Sequence, residues 1–240
     1  MSGMLDGWRA QSAGVQAGRR RLVSGLGLAA AAWALASPVW AGSYEDFFKA
    51  VERDDARSVA ALLQRGFDPN ARDELGQPAL TRAFKEDALK AAEALWTHPQ
   101  LDLEAVNAAN ETPLMMAALR GHVAWMQRLI ERGARVHRDG WAPVHYAASS
   151  AELEPMELML RAGAPVDAVS PNGNTPLMMA AGYGAIDGAR LLLRRGADAT
   201  VRNQRGMTAA DFARSMGRDG LASEIEAAAA RRRTAVAPVQ

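Results

Sequence analysis

The 240-residue chain contains no cysteine. That absence excludes thiol catalysis, cysteine-based zinc sites, iron–sulfur clusters and disulfides together. Histidine is sparse, with only His98, His122, His137 and His145. No two of them form an H-x-x-x-H or H-E-x-x-H pair, and no G-x-S-x-G or phosphate-loop glycine pattern occurs. Neither sign of charge dominates: 28 basic and 27 acidic side chains leave a net charge of +1. That balance gives no polybasic footprint for nucleic acid. The main uncharged apolar run, Leu22–Ala36, falls short of the roughly 20 residues that cross a bilayer.

What is present at the N-terminus has the form of a secretory signal. Residues 1–21 are polar and end in Arg19-Arg20-Arg21. The apolar run follows, then Ser37-Pro38-Val39-Trp40-Ala41, with Val39 and Ala41 at the −3 and −1 positions for cleavage after Ala41. Residues 1–41 are therefore read as a signal peptide, an uncleaved anchor being the alternative. Arg19-Arg20 ahead of a weakly hydrophobic stretch resembles a twin-arginine export signal. Basic residues that merely orient an ordinary signal explain the same pattern. The Ala- and Arg-rich composition suggests a bacterial chain bound for the periplasm. Without its first 41 residues the chain holds 24 basic and 26 acidic side chains, a net charge of −2.

The strongest positive signal is a repeat. Thr-Pro-Leu-Met-Met-Ala-Ala occurs at Thr112–Ala118 and again at Thr175–Ala181. Internal repeats of this kind build solenoids, which offer binding surfaces. An apolar pattern at i, i+3, i+6 and i+7 recurs at Ala56/Val59/Leu62/Leu63, Leu89/Ala92/Leu95/Trp96, Val123/Met126/Leu129/Ile130, Leu153/Met156/Met159/Leu160 and Ile186/Ala189/Leu192/Leu193. That spacing places each set on one helix face. Gly66, Gly133, Gly163 and Gly196 then mark helix ends. A shorter helix precedes each, beginning at Pro78, Thr112, Ala142, Thr175 or Thr208, where threonine caps and proline suits the first helical position.

This architecture resembles the ankyrin-repeat family. The family pattern G-x-T-P-L-H-x-A-A, followed by L-L-x-x-G-A, is matched at Gly173–Ala181 with Leu192–Ala197. Thr112–Ala118 with Gly133-Ala134 also fits, and Gly140–Ala148 with Gly163-Ala164 fits more loosely. The resemblance covers roughly residues 43–228. Met115 and Met178 replace the family histidine, which His145 retains. The connection around Arg138-Asp139-Gly140-Trp141 is shortened, and His98-Pro99-Gln100 replaces a Gly-Ala turn.

The expected fold is an all-α solenoid of stacked helix–turn–helix units with terminal capping units. The domain spans residues 42–230, with units at about 43–72, 73–106, 107–137, 138–168, 169–201 and 202–230. Ser43-Tyr44-Glu45-Asp46 reads as the start of the first helix. Residues 231–240, with Arg231-Arg232-Arg233, read as a disordered tail.

The resemblance implies a protein-binding module, expected to be a monomer, with no enzyme activity, cofactor or metal. Its partners are proteins, not nucleic acid, and membrane contact comes only through an uncleaved signal. Carried over from the family, the binding positions are loop tips and the ends of first helices. They are Lys85 and Glu86; Leu119 and Arg120; Trp141, Ser149 and Ser150; Asn172, Asn174 and Tyr183; Gln204 and Arg205. Trp141 and Tyr183 are the expected aromatic anchors, although Trp141 packing across its short loop is an equal reading. A second function class is open. Met115, Met116, Met178 and Met179 recur at equivalent sites and could bind Cu(I) or a small ligand, against a reading as apolar core filler. A third is an exported effector or immunity-type inhibitor.

Overall fold

Helices follow one another in pairs along the chain. The computed structural model describes the backbone of residues 38–236 and the side chains of residues 43–234. Helix α1 (Pro38–Glu52) pairs with α2 (Ala56–Gln64), α3 (Ala79–Lys85) with α4 (Leu89–Trp96), and α5 (Pro113–Leu119) with α6 (Val123–Glu131). The series continues with α7 (Pro143–Ala148) and α8 (Glu154–Arg161), α9 (Pro176–Gly182) and α10 (Ile186–Arg194), then α11 (Ala209–Ser215) and α12 (Asp219–Val236). Among the described residues the only extended pairing is an isolated antiparallel bridge between Arg72 and Pro78. The first helices α1, α3, α5, α7, α9 and α11 stack in chain order as one layer. This is an all-α solenoid.

The short first helices are defined at their starts. Thr112, Thr175 and Thr208 each stand in extended backbone and accept a hydrogen bond from the N–H three residues on. At Thr112, Ala142 and Thr208 the side chain three residues on accepts the N–H of the cap residue, as in the return half of a capping box. The Met115 sulfur accepts from the Thr112 N–H at 3.4 Å. His145 Nδ1 accepts from Ala142 N–H at 3.1 Å, and the Asp211 carboxylate accepts from Thr208 N–H at 2.8 Å. Met115 thus does more than fill the core: its sulfur satisfies a buried donor.

The core is a continuous column. Nine of the ten middle positions of the apolar patterns, Val59, Ala92, Leu95, Met126, Leu129, Met156, Met159, Ala189 and Leu192, are buried, and in the first pattern Leu63 is buried in place of Leu62. They pack against Leu80, Phe84, Leu114, Val144, Tyr146 and Leu177 from the first helices. The outer members are less covered: Ile186, expected on the inward face, is 41% exposed in the first turn of α10. Between the second and third units, Arg128 stacks 5.0 Å from the Trp96 ring and 4.0 Å from the Trp125 ring. Arg132 covers Trp96 at 4.5 Å and donates to the Trp96 carbonyl at 2.8 Å. Aromatic and guanidinium stacking thus closes the junction that lacks a Gly-Ala turn.

Both ends differ from the sequence expectation. The first helix starts at Pro38, so Ser43 lies inside it and not at its cap. Proline suits the first helical position, where no donor is lost. The expected signal up to residue 37 lies outside the described residues, and the bond after Ala41 falls within α1. At the other end, residues 231–236 are helical instead of a disordered tail, while residues 237–240 lie outside the described residues. The run Ala227–Ala230 favours helix, and Arg232 pairs with Asp198 of the preceding unit at 3.1 Å.

Candidate partner-binding face

Four loop tips share one construction. The side chain of Asp73 accepts from the N–H of Leu75 at 2.9 Å and of Gln77 at 2.8 Å. Asn107 does the same for Ala109 and Glu111 at 2.9 and 3.0 Å. Asn203 does it for Arg205 and Met207, also at 2.9 and 3.0 Å. Ser170 Oγ holds the Asn174 N–H at 2.9 Å, with Asn172 Oδ1 accepting the Ser170 hydroxyl at 2.6 Å. In each tip the pinning residue also donates its N–H to the carbonyl four residues on, at 2.9–3.1 Å. The position after the exposed centre needs a left-handed backbone. Gly76, Gly173 and Gly206 supply it with φ of 74°, 81° and 75°, and Asn110 supplies it at 61°.

Three of the twelve expected contact residues are buried, which corrects their assignment. Asn174 is 2% exposed and its Oδ1 accepts from Asn203 Nδ2 at 2.8 Å, tying one tip to the next. Ser149 donates its hydroxyl to the His145 carbonyl at 3.0 Å. Ser150 Oγ accepts from the Glu152 N–H at 3.3 Å, while its carbonyl accepts from the Ala185 N–H at 3.0 Å. The Asn174 amide and the Ser150 carbonyl tie neighbouring units together, while the two serine hydroxyls are used within their own unit. Arg120 is committed as well: its guanidinium pairs with the Asp87 carboxylate of the preceding unit, Nε to Oδ1 being 3.1 Å.

The remaining positions reach the surface to different degrees. Glu86, Gln204 and Arg205 are exposed; Lys85, Leu119, Trp141, Asn172 and Tyr183 are half-buried. Trp141 lies edge-on to His145 at 5.3 Å and to Tyr146 at 6.5 Å, so much of its ring closes the short loop. Gln204 bridges to the adjacent tip, donating to the Pro171 carbonyl at 2.6 Å from its side chain and to the Asn172 carbonyl at 3.1 Å from its backbone.

Burial sets the chemistry of the ionisable groups here. His145 is fully buried, and removal from water lowers its pKa so that it stays neutral. With Nδ1 accepting from Ala142, Nε2 carries the proton and donates to the Ala168 carbonyl at 3.0 Å. Burial and the Glu111 carboxylate raise the Tyr146 phenol well above its usual range. Its hydroxyl donates to Glu111 at 3.1 Å. Both groups do structural duty between units. The seven methionines at Met115, Met116, Met126, Met156, Met159, Met178 and Met179 are at most 3% exposed. Their sulfurs sit in the packed column, as the core-filler reading requires.

A cavity of about 190 Å3 opens between the last two units. It unites three expected residues, Asn172, Tyr183 and Arg205, with Asn203, Met207, Phe212 and Ser215. Trp141 does not line it. Phe212 sits edge-on to Tyr183 at 6.4 Å and occupies space left free by Gly182, where a Cβ would meet the Phe212 ring at 3.0 Å.

A family model described as "Ankyrin repeats (3 copies)" matches residues 47–139 and 128–203. The chain belongs to the ankyrin-repeat family. The B-cell lymphoma 3 protein homolog of Mus musculus is 32% identical over 164 residues, 65% of this chain and 37% of that protein. The Ankyrin repeat and SOCS box protein 18 of Homo sapiens is 32% identical over 192 residues, covering 65% and 40% respectively. The human Transient receptor potential cation channel subfamily A member 1 is 27% identical over 159 residues, or 62% of this chain and 14% of the channel. The matched region therefore spans less than half the length of each relative.

Ankyrin repeats are protein-interaction modules, and the tips and first-helix ends are where this chain departs from its own repeat. Sequence reasoning missed Asn203, Phe212 and Ser215 as cavity residues. Register alone would have found two of them. Phe212 occupies the slot of Met116 and Met179, and Ser215 that of Leu119 and Gly182, counting from Thr208, Thr112 and Thr175. Among the described residues no helix is long and apolar enough to cross a membrane.

Proposed function

We propose that this chain is an exported ankyrin-repeat protein that binds another protein through its tip face and scaffolds or modulates it in the periplasm. One observation carries the binding reading. A single backbone turn, pinned at the N–H four residues on by the side chains of Asp73, Asn107, Ser170 and Asn203, presents Leu75, Ala109, Asn172 and Arg205 in turn. Constant geometry with changing side-chain chemistry is the arrangement a recognition surface needs, since rigid placement lowers the ordering cost of binding. Leu75 stands 70% exposed at its tip, an apolar group with no partner in the core. The signal pattern Arg19–Ala41 supports export.

Capture from a periplasmic extract tests the binding. Mature protein carrying Trp141→Ala with Tyr183→Ala should bind the captured partner more weakly by at least about 2 kcal/mol, as loss of aromatic anchors does. Unchanged affinity in a folded double variant would remove these anchors from the interface. Export is tested by intact mass: mature protein in the periplasmic fraction should begin at Gly42. Full-length chain held in the membrane fraction would overturn cleavage.

A further inference from the structure

Two cavities on the surface differ in what they could select. The larger, about 370 Å3 between α1 and α2, is rimmed by both signs of charge, Asp46 and Asp55 against Lys49, Arg53 and Arg65. Such a rim favours no particular ligand. The smaller one, between the last two tips, is chemically one-sided. Its walls are the Tyr183 ring, the Phe212 ring and the Met207 side chain, and no carboxylate lines it. Phe212 is 6% exposed and fixed within the core, so that wall is pre-formed.

At the rim stands Arg205, exposed at the centre of its tip. Its backbone is held by Asn203 at 2.9 Å. Among the described residues no carboxylate pairs with its guanidinium. Three arginines at this end are engaged with carboxylates: Arg190 with Glu224 at 2.7 Å, Arg232 with Asp198 at 3.1 Å, and Arg214 with Glu226. Asn172 adds a half-buried amide to the lining.

We propose that this cavity is a docking pocket for a peptide segment of a protein partner that carries a bulky apolar side chain beside a carboxylate. This rests on the tip-face reading above and gives it a chemistry. The apolar side chain packs in the cavity against the Tyr183 and Phe212 rings and Met207, where aromatic contact and loss of water favour it. The adjacent carboxylate meets Arg205, which offers a planar fork of donors suited to bidentate pairing. A basic segment is disfavoured, because the pocket supplies one free cation and no anion.

The probe is a phage-displayed library of random linear peptides, selected on the immobilised full chain. Arg205→Glu and Ser215→Phe serve as parallel targets. Both positions are exposed, and circular dichroism checks that the fold is kept. Peptides enriched on the unaltered chain should share an apolar residue flanked by Asp or Glu. Synthetic copies should bind Ser215→Phe and Arg205→Glu at least tenfold more weakly in fluorescence anisotropy. Selection on Arg205→Glu should instead enrich basic flanks. Peptides that bind all three proteins equally would overturn the pocket while leaving tip-face binding intact. Enrichment without acidic flanks would overturn the role of Arg205. No enrichment above an uncoated surface would also overturn the pocket, and the Trp141 and Tyr183 capture experiment then judges the broader reading on its own.

Discussion

The two copies of Thr-Pro-Leu-Met-Met-Ala-Ala fold alike and meet different surroundings. Each begins with a threonine cap and buries all of its apolar side chains. Their divergence begins at the next residue. After the first copy, Leu119 and Arg120 cover the helix end, and Arg120 is locked to Asp87 of the preceding unit. After the second, Gly182 lets Phe212 approach, and Tyr183 turns toward a cavity. The repeated segment makes the framework, and the one or two residues after it decide whether the surface is filled or open.

Equivalent glycines give the sharpest way to break that comparison. Gly184 closes the second copy, and a Cβ there would lie 1.9 Å from the Ala148 carbonyl oxygen, an immovable backbone atom. Gly121 closes the first, and its Cβ would meet only the end of the Glu152 side chain at 2.9 Å. Gly184→Ala should destabilise by about 3 kcal/mol through overpacking. Gly121→Ala should cost about 1–2 kcal/mol, from its φ of 77° alone. Urea unfolding of the two variants measures the gap, and equal costs would contradict the packing described here.

A smaller difference separates the matching methionines. Met115→Leu removes the sulfur that accepts from the Thr112 N–H, whereas no such bond joins Met178 to Thr175 among the hydrogen bonds of the structure. Leucine nearly conserves the volume at both sites. Met115→Leu should therefore cost about 1 kcal/mol more than Met178→Leu, the penalty of an unmet buried donor. Equal stabilities by denaturant melt would reduce Met115 to core filler.

The mildest test uses pH. His145 takes the slot of those two methionines, and burial lowers its pKa from the ordinary 6.5. The unfolded chain then binds the proton more readily than the folded one. The stability this group gives is complete above its ordinary pKa and is lost as pH falls below it. His122, also lowered by burial, acts in the same direction. The melting temperature should drop on acidification from pH ~7.5 to ~5, and His145→Met should shallow that slope. A slope unchanged by the substitution would place the sensitivity elsewhere.

The solenoid was legible because its cues are local. Thr112, Thr175 and Thr208 cap as their spacing implies, and the Leu129 and Leu192 positions face inward as periodicity requires. The candidate face was legible only in part. Whether Ser149, Ser150 or Asn174 touches water depends on the neighbouring unit that presses on it, and no single-unit pattern records that. The tip pins escaped notice for another reason. Asp, Asn and Ser perform one hydrogen-bonding task, so identity at 73, 107, 170 and 203 varies, with only Asn107 and Asn203 alike, even though the role is repeated. The helical course of residues 231–236 was hidden because its anchor, Asp198, belongs to another unit.

The ties between units have a mechanical consequence. Asp54 reaches the Ala91 N–H, Asn70 the Gln100 carbonyl, Glu104 the Arg135 side chain, Asp167 the Asp198 N–H and Asn174 the Asn203 amide. Every one spans a single junction, so tension applied at the two ends passes through the junctions in series, and only ties of the same junction, such as those of Asp54 and Asn70, share a load. Stretched from its ends, the molecule should behave as a chain of unequal springs, yielding first at its weakest junction. Each unit that gives way releases roughly 100 Å of contour, from some thirty residues at about 3.5 Å apiece. The Trp96, Trp125 and Arg128 stack marks one junction where that yielding should come late.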